Sequence, residues 1–141
     1  MTPEQADLVR YRLARAREAM AEARLLLDGG HCNACVNRLY YACFYAVSAL
    51  LLPEGYASAK HTGVRALFER HFVKTGRIRV DLGRTYRRLF TRRQHGDYDD
   101  FVQFKEDEVR TWLTDAEEFV NALTQAAEAQ LPLKEPIEGK G

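Results

Sequence analysis

Seven arginines lie between Arg77 and His95, at Arg77, Arg79, Arg84, Arg87, Arg88, Arg92 and Arg93, against a single acid, Asp81. None of the seven is replaced by lysine, and the planar fork of a guanidinium matches the geometry of phosphate. Arg84, Arg88, Arg92 and His95 follow one another at spacings of four, four and three, which places them on one helical face. A basic stripe is the expected footprint of nucleic-acid or nucleotide contact. An even alternative is a solvated face answered by the acidic run Asp97, Asp99, Asp100, Glu106, Asp107 and Glu108. Within the stripe, Arg88 and His95 are two helical turns apart, so both side chains could reach one spot. A histidine beside a guanidinium could cleave RNA. The imidazole would move a proton at the 2′-hydroxyl or the leaving oxygen, and the arginine would stabilise the pentavalent phosphate. On spacing alone the stronger reading is simpler, with His95 ending a helix where a cation is favoured.

The same segment closes with Arg93-Gln94-His95-Gly96-Asp97-Tyr98. A glycine there lets a chain leave a helix, Asp97 could accept from backbone donors or from Arg93, and Tyr98 could cover the end of a bundle. A buried Arg–Asp clasp explains this run as well as catalysis does. Upstream, Asn37-Arg38-Leu39-Tyr40-Tyr41 puts an amide and a guanidinium on an otherwise apolar stretch. Buried polar groups need partners. Asn37 and Arg38 must therefore satisfy Asp97 or another acid inside the fold, or line a pocket. Tyr41 and Tyr45, four residues apart, could stack on a base, although tyrosine stripes belong more often to cores. Lys60 and His61 offer two further phosphate contacts.

Other chemistries find less support. Cys32-x-x-Cys35, with His31 adjacent, lacks the second half of a zinc site. No strand–helix–strand pattern surrounds it, so two small half-buried cysteines one turn apart are the better reading. There is no glycine-rich phosphate loop, no G-x-S-x-G and no H-E-x-x-H. We therefore expect neither a cofactor nor a metal. Three cysteines, an odd number, cannot all pair within one chain. No run of about 18 apolar residues suggests a transmembrane helix. Met1-Thr2-Pro3-Glu4-Gln5 lacks the charged and apolar regions of a signal peptide. The expected location is a reducing cytoplasm.

The elements that must position these residues are helices. The 141 residues suit one domain able to bury a core without disulfides, and 46% apolar with 29% charged residues is ordinary for a globular protein. Lys plus Arg is 21 and Asp plus Glu is 20, so net charge names no partner. Thr2-Pro3-Glu4 is a helix start, followed by a seam of Val9, Leu13, Ala16, Met20, Ala23 and Leu27 that ends at Asp28-Gly29-Gly30. A second helix from about Cys32 to Leu52, stopped by Pro53, is apolar nearly all round and belongs in the middle of a bundle. A third spans roughly His61 to Lys74. A fourth runs from about Val80 to Gln94 and is broken by His95-Gly96-Asp97. A fifth runs from about Phe104 to Ala127. Short connections favour antiparallel neighbours. The expectation is an all-α, antiparallel up-and-down bundle of four to five helices over residues 1–130, with a flexible tail at 131–141.

The order and spacing of several of these pieces give the chain a family resemblance. Asn37-Arg38-Leu39-Tyr40-Tyr41-Ala42-Cys43-Phe44-Tyr45-Ala46 comes first, then Lys60-His61-Thr62-Gly63-Val64. Phe68, Phe72-Val73-Lys74-Thr75-Gly76 and Arg93-Gln94-His95-Gly96-Asp97-Tyr98 follow, and a closing helix carries Ala116-Glu117-Glu118-Phe119-Val120. Over about residues 5 to 125 the chain resembles prokaryotic HEPN domains, in particular a group of small stand-alone proteins. The resemblance implies a helical bundle, usually a homodimer, with a polar groove near the dimer axis. It also implies a frequent partner, a small nucleotidyltransferase of the MNT type, the two acting as toxin and antitoxin. Many such toxins are metal-independent ribonucleases marked by Arg, four to six residues, then His, a pattern that Arg88 and His95 fit at its long limit. Leu89 stands where a polar residue is usual, and Tyr98 lies three residues past His95 rather than two. The closest-looking group is marked rather by Arg93, Asp97 and Tyr98. The expected catalytic residues are thus His95, Arg88 and Arg93. Nucleotide or RNA contacts are expected from Asn37, Arg38, Tyr41, Lys60, His61, Arg92, Asp97 and Tyr98, with no metal. The alternative is a non-catalytic helical partner or adaptor of a nucleotidyltransferase.

Overall fold

A computed structural model describes residues 1–133. Its helices are α1 (Pro3–Asp28), α2 (Cys32–Leu51), α3 (His61–Phe68), α4 (Val80–Tyr98) and α5 (Glu106–Glu128), and the described residues contain no strand. The all-α bundle expected from the sequence is what forms. α1 begins in a capping box: the Thr2 side chain accepts from the Gln5 backbone while the Gln5 side chain accepts from the Thr2 N–H, and Pro3 needs no donor there. α2 packs against all four other helices. That centrality follows from its composition, since a helix apolar on every side can only be satisfied from every side.

Three boundaries differ from expectation. His95-Gly96-Asp97 does not break α4, which continues to Tyr98. Gly96 serves packing instead of an exit: a Cβ there would meet the Phe104 ring at 2.7 Å. α5 starts at Glu106 rather than Phe104, with Glu106, Asp107 and Glu108 in a first turn that favours acids. α3 gives way to a wider π-helical turn at Glu69–Val73 and so ends short of Lys74. Gly76, at φ 80°, then turns the chain toward α4.

The core runs through an aromatic column. The Tyr40 and Tyr86 rings lie parallel at 6.0 Å, Tyr86 stacks on Phe119 at 5.7 Å, and Phe68 meets both Tyr86 and Phe119 edge-on. By length and mean hydropathy (1.3), Cys32–Glu54 is apolar enough to cross a membrane, although no single uninterrupted apolar run marks it. Its most apolar 18-residue stretch is mostly turned into the bundle, with 61% of that stretch buried. The three cysteines are free, and burial raises the Cys35 thiol to about 11, so it stays protonated. Of the tail expected to be flexible, residues 134–141 lie outside the described residues. In its described part, Leu131 packs on the core and the Pro132 carbonyl accepts from Arg10.

Candidate nucleotide and RNA site

α2 and α4 cross so that Asn37 and Arg38 of the first meet Arg93 and Asp97 of the second. Arg93 is the charged side chain that the described residues bury, at 7% exposure. Its guanidinium lies 4.7 Å from the centre of the Tyr40 ring and 5.7 Å from that of Tyr41. Such stacking is favourable for a desolvated cation. Its ion pair is loose, at 3.8 Å from Arg93 Nη1 to Asp97 Oδ2, and its Nε has no partner. Asp97 Oδ2 instead accepts a good hydrogen bond from Asn37 Nδ2 at 2.9 Å. Asn37 Oδ1 in turn accepts from Arg38 Nε and Nη2 at 3.1 and 2.9 Å. Arg38 also covers the Tyr41 ring at 5.0 Å and reaches Glu22 on α1 at 3.4 Å. The polar residues of α2 thus find their partners in Asp97 and Glu22, at the bundle surface. The buried guanidinium is the under-satisfied member.

α3 brings His61 to the same tyrosines. Its Nδ1 lies 3.0 Å from Tyr40 Oη, and its ring stacks on Phe44 at 4.4 Å. Burial, and secondly the Arg93 cation, hold the imidazole below its usual value, so it is neutral at neutral pH. Burial raises the Tyr40 phenol to about 12. Lys60 is the cap residue of α3, and its side chain is exposed beside His61. Arg65, one turn after His61, lies over Phe90 at 4.4 Å. Against Asp97 and Glu22, the guanidiniums of Arg38, Arg65 and Arg93 lie over Tyr41, Phe90 and Tyr40 of one aromatic group.

The remaining predicted residues lie elsewhere. His95 is two residues from both Arg93 and Asp97, roughly 200° round the helix, and therefore points the other way. Its side chain is 58% exposed and its Nδ1 pairs with Asp99. Arg88 is exposed on that outer face, where Arg84 and Arg88 line a cleft with Asp115 and Glu118 of α5. Arg92 covers Trp112 at 3.9 Å. The other arginines of the stripe disperse: Arg77 to Glu54, Arg79 to Asp81 and Glu118, Arg87 to Glu69. The basic stripe is therefore not one surface, and acids of α5 answer its outer row. Tyr98 does not cover the bundle end; it is 75% exposed. The structure unites Asn37, Arg38, Tyr41, His61, Arg93 and Asp97, and it separates them from Arg88, Arg92, His95 and Tyr98. Tyr40 and Arg65 belong to the united group, although the residue types alone did not select them. The four-residue step from His61 to Arg65 was the available signal. Among the described residues, no three His, Cys, Asp or Glu side chains gather as a metal site would need.

A family model described as "HEPN domain" matches residues 9–127. A "UPF0332 protein" of Thermotoga maritima is 45% identical over 125 residues, covering 89% of this chain and 95% of the relative. A protein of Methanocaldococcus jannaschii described as a "Putative toxin" is 30% identical over 109 residues, 77% of this chain and 74% of its own. A "UPF0332 protein" of Gloeobacter violaceus is 37% identical over 98 residues, covering 70% and 75%.

Proposed function

The chain belongs to the HEPN family, and from that premise we propose that it is the toxin of a toxin–antitoxin pair, binding RNA phosphate at the Arg93 cluster and cleaving the strand without a metal. The observation that carries this reading is the state of Arg93. A buried guanidinium normally has its donors filled, and an unfilled buried donor costs about 1–3 kcal/mol. Here, among the described residues, Nε is unpartnered and the one paired acid stands at 3.8 Å. An arriving phosphate would supply Nη1 and Nη2 with the oxygens that Asp97 does not, while Nε stays sealed beneath them and the rings of Tyr40 and Tyr41 keep the fork rigid. The likeness to a protein described as a toxin supports the biological role. A homodimer, an MNT-type nucleotidyltransferase as antitoxin and a cytoplasmic location complete the proposal.

Binding of a labelled single-stranded oligoribonucleotide, followed by fluorescence anisotropy, tests it. Arg93→Lys keeps the charge but loses the fork, and weakens binding about tenfold or more. Asp97→Asn removes the competing carboxylate and tightens binding. Arg88→Ala, on the outer face, has a smaller effect than Arg93→Lys. Equal affinities for Arg93→Lys and wild type, with weaker binding by Asp97→Asn, would contradict the proposal.

A further inference from the structure

Granting the phosphate site at Arg93, we propose that His61 is the catalytic proton acceptor of that site and that Tyr40 is its positioning residue. His61 and Arg93 bracket one pair of rings. The imidazole centre lies 5.7 Å from Tyr40 and 5.7 Å from Tyr41, and the guanidinium lies 4.7 and 5.7 Å from the same two. A ribose 2′-hydroxyl adjoins the phosphate it attacks, so its base must stand beside the phosphate ligand. His61 shares both tyrosine rings with Arg93 and feels its charge, whereas His95 occupies the opposite side of α4, tied to Asp99.

The imidazole is also held for the task. Stacking on Phe44 at 4.4 Å fixes its plane, and Tyr40 Oη engages Nδ1 at 3.0 Å. Among the described residues Nε2 has no hydrogen-bond partner, yet it is not among the atoms sealed from solvent. One ring nitrogen is thus anchored and the other is open. With Nδ1–H donating to Tyr40 Oη, Nε2 keeps its lone pair. This is the usual division of labour for a histidine base, in which the partner of one nitrogen sets the tautomer of the other.

The step balances with RNA and water alone. Nε2 takes the proton of the 2′-hydroxyl as that oxygen bonds to the adjacent phosphorus. The bond from phosphorus to the 5′-oxygen breaks, and the 5′-oxygen takes a proton from water. The imidazolium returns its proton to solvent. The products are a 2′,3′-cyclic phosphate and a 5′-hydroxyl.

The test pairs cleavage of a labelled oligoribonucleotide in a chelating buffer with RNA binding and with ¹⁵N spectra of the imidazoles. His61→Ala and His61→Gln, both shown folded by thermal melting, should still bind RNA, with affinity reduced far less than cleavage, and cleave at least ~100-fold more slowly. Added imidazole should restore part of the rate of His61→Ala but not of His61→Gln. The spectra should show Nδ1–H at His61, and Tyr40→Phe should abolish that preference and slow cleavage. His95→Ala is the comparison on the other face of α4 and should cleave faster than either His61 variant. A folded His61→Gln cleaving at the wild-type rate, or Nε2–H at His61, overturns the assignment. Wild-type protein that binds RNA through Arg93 without cleaving it also overturns the assignment, and leaves the phosphate site standing. RNA binding indifferent to Arg93 fails the site itself.

Discussion

Arg93 is held by rings rather than by acids, as Arg92 is over Trp112, and its burial is what distinguishes it from its neighbours. Arg77, Arg79 and Arg87 each have a close carboxylate, whereas Arg93 has two tyrosine faces and one distant oxygen. Its charge is therefore felt by whatever lies alongside, including His61. Because the folded state holds His61 below its usual value, it binds fewer protons there than the unfolded chain does. Stability from this group is accordingly present above the ordinary histidine value of about 6.5 and lost as pH falls below it. The groups facing the ring are Tyr40 and Tyr41 from α2 and Arg93 from α4. Thermal melts between about pH 5 and 7 should fall more steeply for wild type than for His61→Gln. Parallel curves would show that His61 is not held in this way. The sequence displayed Asn37, Arg38 and Asp97 as polar residues in need of partners, and the partnership formed. It could not show that Arg93 and His95, two residues apart, face opposite sides, because neighbouring glycine, histidine and acid residues suggested the helix had already ended.

At the scale of elements, the site depends on α4 remaining helical through Asp97. Gly96 is where that continuity meets the loop to α5. Phe104 approaches it closely, while Asn33 pins the loop by donating to the Val102 carbonyl at 2.8 Å and accepting from the Phe104 N–H at 3.1 Å. Helix propensity alone would make Gly96→Ala stabilising by about 1 kcal/mol. The clash with a ring at 2.7 Å opposes this, and overpacking of this kind typically costs about 1–3 kcal/mol. The clash should win, so Gly96→Ala should melt below wild type; a higher melting temperature would show that Phe104 yields freely. Helix existence was legible from the three-and-four spacing of apolar residues in α1 and α5 and from the all-apolar character of α2. Helix ends were less so, since a glycine that accommodates a ring looks the same in sequence as one that ends a helix. The π-turn at Glu69–Val73 left no signal in the spacing either.

For the molecule as a whole, the bundle gives α4 two faces with different roles. The inner face, with Arg93 and Asp97, joins α2 and α3 around Tyr40, Tyr41 and His61. The outer face carries Arg84, Arg88 and Arg92 beside the acids and Trp112 of α5. A linear sequence merges these faces into one basic stripe, and only the packing of α4 between neighbours divides it. On the proposed function, RNA phosphate goes to the inner face. Titration of isotope-labelled protein with a short single-stranded oligoribonucleotide reads both faces in one experiment. The Arg93 Nε–H, the Asn37 side-chain amide and the His61 imidazole should shift together, while Arg88, Arg92 and His95 stay in place. Shifts confined to Arg88, Arg92 and His95, with Arg93 unmoved, would contradict the proposed function.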